Sequence, residues 1–341
     1  MSKIKVLDEK HSDCWSLYNG DCCEVTKGIP DNSVGYSIFS PPFAQLYVYS
    51  DNERDMGNSK DYNEFFKHFE FLVKELKRVI QKGRLVSVHC IDIPAMKERD
   101  GYIGLKDFPG DIIRLFEKFG FIYHGRHVIW KDPLIEATRT KAIGLMHQAL
   151  CKDSAISRSG LPDYLLTFRH PEQNENPIKH KEGLIRYFGS DEPTQTGIEY
   201  SHNVWRRYAS PVWMDIRQTR TLNIRMARSE KDERHVCPLQ LDTIARGIEL
   251  YSNEGDVVFS PYAGIGSELY QAVLMGRKAI GIELKDTYYE AAIKNITVAE
   301  EHKNECEFLI DAGHENYIIN VDDKVKNIHT NKEMVSLDDL F

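Results

Sequence analysis

Val34-Gly-Tyr-Ser-Ile-Phe-Ser40-Pro41-Pro42-Phe43 is an apolar run brought to an abrupt stop by two prolines. Such a run reads as a buried strand ending in a rigid turn. Neither proline has a backbone N–H, so the turn presents carbonyl oxygens, one hydroxyl and one aromatic face. That combination suits a planar ring carrying an amino group, with the oxygens accepting from its N–H bonds and Phe43 lying against the ring. Taken in isolation, the same residues also fit an ordinary strand-to-loop exit. A second stretch far downstream, Phe259-Ser260-Pro261-Tyr262-Ala263-Gly264-Ile265-Gly266, gives them meaning. It reads as a strand, a glycine turn and the start of a helix, in which Gly264 and Gly266 let the backbone approach a polar ligand closely. The next strand, Lys278–Glu283, ends in an acid able to accept from two ribose hydroxyls. The dinucleotide fingerprint G-x-G-x-x-G is absent, which argues against a dehydrogenase.

Composition sets the bounds. A chain of 341 residues can bury one large core, or one core with a smaller attached domain. No apolar run approaches membrane-spanning length, and Met1–Lys10 is charged, unlike a signal peptide or anchor. The seven cysteines are scattered without a C-x-x-C pair, as expected of a reduced, cytoplasmic chain with no metal site. Net charge is −8, yet Arg206, Arg207, Arg217, Arg220, Arg225, Arg228 and Lys231 crowd a short interval holding only Asp215 and Glu230 as acids. A basic middle with acidic flanks fits a protein that grips phosphate on one face, or a solvated arginine-rich surface.

Along the chain, residues 14–19 read as a strand leading into Gly20-Asp21. Asp61 is placed to cap a helix whose Phe65, Phe69, Leu72, Leu76 and Val79 form one apolar face, a core stripe that Gly83 should end. Arg84–Cys90 follows as a buried strand, with His89 near its end as either a packed core histidine or a neighbour of the site. A helix over Asp111–Phe119 and a strand over Phe121–Trp130 continue the alternation, which implies right-handed crossovers and a mainly parallel sheet flanked by helices. The pattern loosens from Lys131 to Glu230, apart from the strand-like run Asp163–Arg169. A helix over Leu239–Ser252, a strand over Asp256–Ser260 and a helix over Ser267–Met275 restore it.

The two motifs, in this order and far apart, resemble the amino-methylating DNA methyltransferases of the β group. In that family [DNS]-P-P-[YFW] holds the target base and D-P-F-x-G-x-G holds S-adenosylmethionine. The resemblance implies an α/β, Rossmann-like methyltransferase fold with an inserted target-recognition domain. It divides the chain into a catalytic half (1–133), the insert (134–230), a cofactor half (231–300) and a partly disordered C-terminal extension (301–341). Ser40, Pro41, Pro42 and Phe43 would be catalytic. Asp21, His235, Pro238, Ser260, Pro261, Tyr262, Gly264, Gly266 and Glu283 would bind the cofactor. Double-stranded DNA would be the partner, with Arg206, Arg207 and Arg217 on phosphate and Trp205 and Trp213 beside the extruded base, although at least one tryptophan should pack inside the insert instead. A second copy of the chain and a partner endonuclease are both compatible with the family.

Serine in the first position of the catalytic motif is associated with cytosine N4 as target. Adenine N6, an amino group of RNA, and a catalytically idle DNA-binding protein are the alternatives. Ring-carbon methylation needs a Pro-Cys pair, and the chain has only Cys237-Pro238. Ser260 departs from the family, which has aspartate there to pair with the cofactor's ammonium group. Either affinity is lower, or another acid such as Glu268 substitutes.

Overall fold

A computed structural model describes residues 5–42, 62–95, 97–140, 145, 147–180, 197–222 and 238–311. Phe43, Asp61, His235, Arg225, Arg228, Lys231 and the tail beyond residue 311 lie outside them. The first part of the chain runs β1 (Asp8–His11), β2 (Trp15–Asn19), α1 (Cys22–Thr26), β3 (Val34–Phe39), α2 (Tyr62–Val79) and β4 (Ile80–Cys90). A small hairpin, β5 (Ile93–Ala95) and β6 (Gly104–Lys106), encloses α3 (Lys97–Asp100). Next come α4 (Phe108–Lys118), β7 (Ile122–Ile129), α5 (Pro133–Thr140), α6 (His147–Lys152), β8 (Asp163–Arg169), α7 (Gly197–Ala209) and β9 (Val212–Trp213). The last part is α8 (Leu241–Tyr251), β10 (Val257–Ser260), α9 (Ser267–Leu274), β11 (Lys278–Glu283) and α10 (Asp286–Asp311).

Nine strands form one sheet in the order β1-β2-β11-β10-β3-β4-β8-β7-β9. From β2 to β4 every pairing is parallel, and β8 runs antiparallel between β4 and β7. Side chains alternate between two cores, one on each face. Phe39, Val86, Val88 and Phe259 meet α2 and α4 on one side, while Tyr36, Ile38, Leu85 and Val258 meet α8 and α9 on the other. A central strand buried on both faces reads as a continuous apolar run rather than an alternating one, as Val34–Phe39 does.

The predicted face of α2 is buried at Phe65, Phe69, Leu72, Leu76 and Val79. Gly83 does not end that helix. The helix stops at Val79, and Gly83 sits inside β4 as part of an irregularity in its pairing with β3. Its φ of 70° and the Asn174 backbone nitrogen, 2.4 Å from where a Cβ would lie, account for the glycine. The helix expected at Asp111 begins at Phe108, because Asp107 caps it by accepting from Gly110 N at 2.9 Å. Asp163–Arg169 is not part of a separate insert: β8 is an inner strand of the main sheet, and β9 extends that sheet at its edge. No helix among the described residues is long and apolar enough to cross a membrane.

Arg84 ties the middle of the sheet together. Its side chain is fully buried; Nε donates to Gly35 O at 2.9 Å, Nη1 donates to Asn176 O at 2.7 Å, and Nη2 pairs with Asp256, just ahead of β10. Replacement by leucine would deprive the buried Gly35 carbonyl of its donor and leave the Asp256 carboxylate with the Asn253 N–H in place of the guanidinium charge. Arg84→Leu is expected to lower the unfolding free energy by about 3 kcal/mol. Denaturant unfolding measures this, and a loss indistinguishable from that of an exposed arginine would show that the cluster holds nothing.

Candidate active site

The strands that carry the two sequence motifs are neighbours. β3 and β10 pair in parallel with Ser37 opposite Phe259, and Ser37 Oγ donates to Phe259 O at 2.9 Å. Both strands end within three residues of that pair, so Ser40-Pro41-Pro42 and Ser260-Pro261-Tyr262 leave the sheet side by side. Their aromatics meet, the rings of Phe39 and Tyr262 lying 5.7 Å apart. From β3 the sheet continues to β4, and from β10 it continues the opposite way to β11. The carboxyl ends of β3 and β10 therefore flank the point where strand order reverses, the usual ligand crevice of an open α/β sheet.

Beyond β10 the chain turns through Gly264, at φ 53°, and Gly266, at φ 87°. A Cβ on Gly266 would lie 3.1 Å from that of Ala292 on α10, so glycine is required there by packing as well as by dihedral. Glu283 closes β11 with both carboxylate oxygens engaged: Gly264 N donates at 2.8 Å and Lys285 N at 2.9 Å. Gly20 N donates to the Glu283 carbonyl at 3.0 Å, which sets Asp21 beside it. Asp21 caps α1, accepting from Glu24 N at 2.9 Å. Ser260 is fully buried, and its Oγ has no hydrogen-bond partner among the described residues. In the first turn of α9 lies Glu268, also buried. Burial, reinforced by the charge of Glu283 and opposed by a backbone N–H, pushes its carboxyl up to about 8. Tyr262 is a packing residue, its phenol pushed upward by burial and by the neighbouring Cys22 and Cys23.

On the other side of the crevice a polar chain begins at the half-buried Ser40 and runs into the buried His89 and Asp163. Ser40 Oγ lies 3.2 Å from His89 Nδ1, at the end of β4. His89 Nε2 lies 3.2 Å from Asp163 Oδ2, at the start of β8, and Lys131 Nζ lies 2.6 Å from the other oxygen of Asp163. Burial pushes the Asp163 carboxyl up, but the charges and hydrogen bonds of His89 and Lys131 outweigh it and hold the group below the usual carboxylate range.

Residues 36–294 match the family model for DNA methylase, the N6/N4 methyltransferases. The chain belongs to that family. This methylase is 25% identical over 275 residues to the type II methyltransferase M.BamHI of Bacillus amyloliquefaciens, across 80% of this chain and 55% of that protein. It thus spans about half the length of that relative. Its fold is similar to that of the Thermus thermophilus protein TTHA0409 complexed with S-adenosyl-L-methionine, with TM-score 0.58 and 21% identity over 83% of this chain and 95% of that one. It is also similar in fold to the PvuII DNA methyltransferase (cytosine-N4-specific), with TM-score 0.57 and 15% identity over 88% and 94% of the two chains.

In the methylase the structure gathers Asp21, Ser40, Pro41, Pro42, Ser260, Pro261, Tyr262, Gly264, Gly266 and Glu283 at one edge of the sheet. Pro238 lies just before α8, and Phe43 and His235 fall outside the described residues. The residues expected on DNA divide. Trp205 is 66% exposed on α7, and Arg206 beside it is exposed. Trp213 cannot stack on a base: it is fully buried, stacked on His127 at 4.1 Å with the Arg246 guanidinium 4.9 Å from its ring. Arg217 is bound to Asp242 through its backbone N–H and two guanidinium contacts, and Arg207 sits 3.9 Å from Asp215. Asp163 and Lys131 escaped the sequence reading. Their only signal was an acid opening an apolar run, which says nothing about the histidine it will meet.

The raised carboxyl of Glu268 has a measurable consequence. Unfolded, it ionises near its ordinary 4.5; folded, near about 8. As pH rises through that window the unfolded chain releases a proton that the fold retains, so the stabilisation present at low pH is lost. Glu268→Gln carries no charge and should gain on the wild type, by a few kcal/mol, between about pH 5 and about pH 8. Denaturant midpoints at the two ends of the window test this. A constant difference between the two proteins would mean that Glu268 ionises normally.

Proposed function

We propose that the protein transfers a methyl group from S-adenosylmethionine to an exocyclic amino group of a base extruded from duplex DNA, with cytosine N4 as the target. The observation that carries this reading is the β3–β10 pairing, which puts a serine turn whose two prolines carry no N–H beside a glycine turn. S-adenosylmethionine supplies a methyl group already made electrophilic by its sulfonium. The residues present fit such a molecule: Glu283 and Asp21 offer acceptors at the ends of β11 and β2, and the Ser260 hydroxyl at the end of β10 has no hydrogen-bond partner among the described residues. Glu268 takes the role of the aspartate missing at position 260. A cationic ammonium group beside it would favour its ionised form and draw its proton off.

What remains for the chain is to position and polarise the amine. An amino group conjugated to a ring is a poor nucleophile. Ser40 Oγ and the Pro41 carbonyl accept its two N–H bonds and favour a localised lone pair, and Phe43 stacks on the ring. Extruding the base costs a few kcal/mol, which those contacts offset. On the DNA side, Trp205 and Arg206 of α7 supply an aromatic face and a phosphate contact. Cytosine is favoured over adenine because a compact serine hydroxyl accepts a single N–H bond, whereas a carboxylate or amide reaches further and accepts more strongly.

Digesting DNA treated with the protein to nucleosides and resolving them by mass should give N4-methylcytosine. Finding N6-methyladenine alone would overturn the choice of base. Ser40→Ala should cut turnover at least about 100-fold and leave S-adenosylmethionine affinity near that of the wild type. Equal losses in both would place Ser40 in the cofactor site instead.

A further inference from the structure

The chain Ser40–His89–Asp163–Lys131 does more than fill space beside the crevice. We infer that His89 and Asp163 fix Ser40 as a hydrogen-bond acceptor toward the target amine, and that His89, backed by Asp163, receives the proton relayed from the amine through Ser40. The inference rests on the proposed amino methylation. It starts from the half-buried Ser40 hydroxyl, one residue beyond β3, and two buried groups carried by β4 and β8. His89 and Asp163 are almost fully buried, and the contacts are 3.2 Å from Ser40 Oγ to Nδ1 and 3.2 Å from Nε2 to Asp163 Oδ2.

Orientation follows from charge. Asp163 is held ionised by Lys131, which occupies its other oxygen at 2.6 Å and itself faces Glu136 of α5 at 4.0 Å. An ionised carboxylate opposite Nε2 favours the tautomer with its proton there, leaving the Nδ1 lone pair facing Ser40. Ser40 then points its own O–H at His89. Its oxygen lone pairs are left for the amine, the polarity that the methyl acceptor needs.

Serine, histidine and aspartate in a row also serve hydrolases, but this row lacks what a hydrolase requires. Pro41 and Pro42 follow the serine directly and have no N–H to stabilise an oxyanion. The imidazole is also reversed, with Nδ1 rather than Nε2 toward the serine. The same three groups thus serve an amine donor rather than an acyl oxyanion.

The step balances. The amine nitrogen forms a bond to the methyl carbon while the carbon–sulfur bond breaks, its electron pair staying on sulfur to give a neutral thioether. The nitrogen, now carrying an extra positive charge, gives an N–H proton to Ser40 Oγ as Ser40 passes its own to His89 Nδ1. The resulting imidazolium lies against the Asp163 carboxylate and afterwards loses the proton to water. His89 and Asp163 act through Ser40 and are positioning residues.

Single-turnover methylation of duplex DNA, with labelled S-adenosylmethionine and the full chain, tests this. Asp163→Asn should slow the methyl-transfer step about 100-fold while leaving the dissociation constants for DNA and S-adenosylmethionine within about twofold. A merely structural role would weaken binding and thermal stability together. His89→Gln keeps the Asp163–Lys131 pair and serves should Asp163→Asn fail to fold. It should slow transfer, and Ser40→Ala combined with it should be no slower than Ser40→Ala alone. Additive losses, or a folded Asp163→Asn at the wild-type rate, would overturn the relay while the methylation reading stands. A wild-type chain that methylates no DNA would overturn both.

Discussion

Everything functional in this protein depends on the parallel pairing of β3 with β10. The two strands are separated by more than two hundred residues in the chain, yet the Ser37–Phe259 hydrogen bond registers them so that both run out at the same edge. A slip of β3 by one residue would turn Phe39 toward the opposite core and move Ser40 off His89. Arg84 guards that register from below, gripping the backbone of β3 and the acid that precedes β10.

The crevice above this pairing has two chemically different walls. On the β10 and β11 side are backbone N–H groups, glycines and acids, including a buried carboxyl that is reluctant to ionise in the absence of a cation. On the β3 and β4 side are an acceptor turn and a buried histidine backed by an ionised aspartate. On the proposed function, one wall would take a charged, polar donor molecule and the other a flat amine that must lose a proton. Reaction between them would need little beyond bringing them together, because the methyl group of such a donor is already activated.

Much of this was legible in the chain. Val34–Phe39, Lys278–Glu283 and the apolar face of α2 announce themselves because local composition alone decides a doubly buried strand or an amphipathic helix. Both motifs fall where a strand must stop, so their place at the sheet edge could be foreseen. What could not be read were relations between distant segments. β8 looked like a stray strand in an insert, and only the tertiary fold shows it slotting antiparallel against β4 and carrying Asp163 to His89. β1 is polar throughout and gave no signal, being an exposed edge strand held mainly by its ladder to β2. Trp213 misled for the opposite reason: a tryptophan among arginines resembles a base-stacking platform, and nothing local reveals that His127 and Arg246 already enclose it.

The most direct test of the two-walled crevice is a calorimetric titration of the folded 341-residue chain with S-adenosylmethionine, run in buffers of different ionisation enthalpy. Binding at a single site is expected, with proton release below about pH 8 as the bound cation draws the proton from Glu268. The release should vanish in Glu268→Gln. A folded chain that takes up no S-adenosylmethionine would contradict the reading of the β10 wall, and the reaction built on it would fall with it.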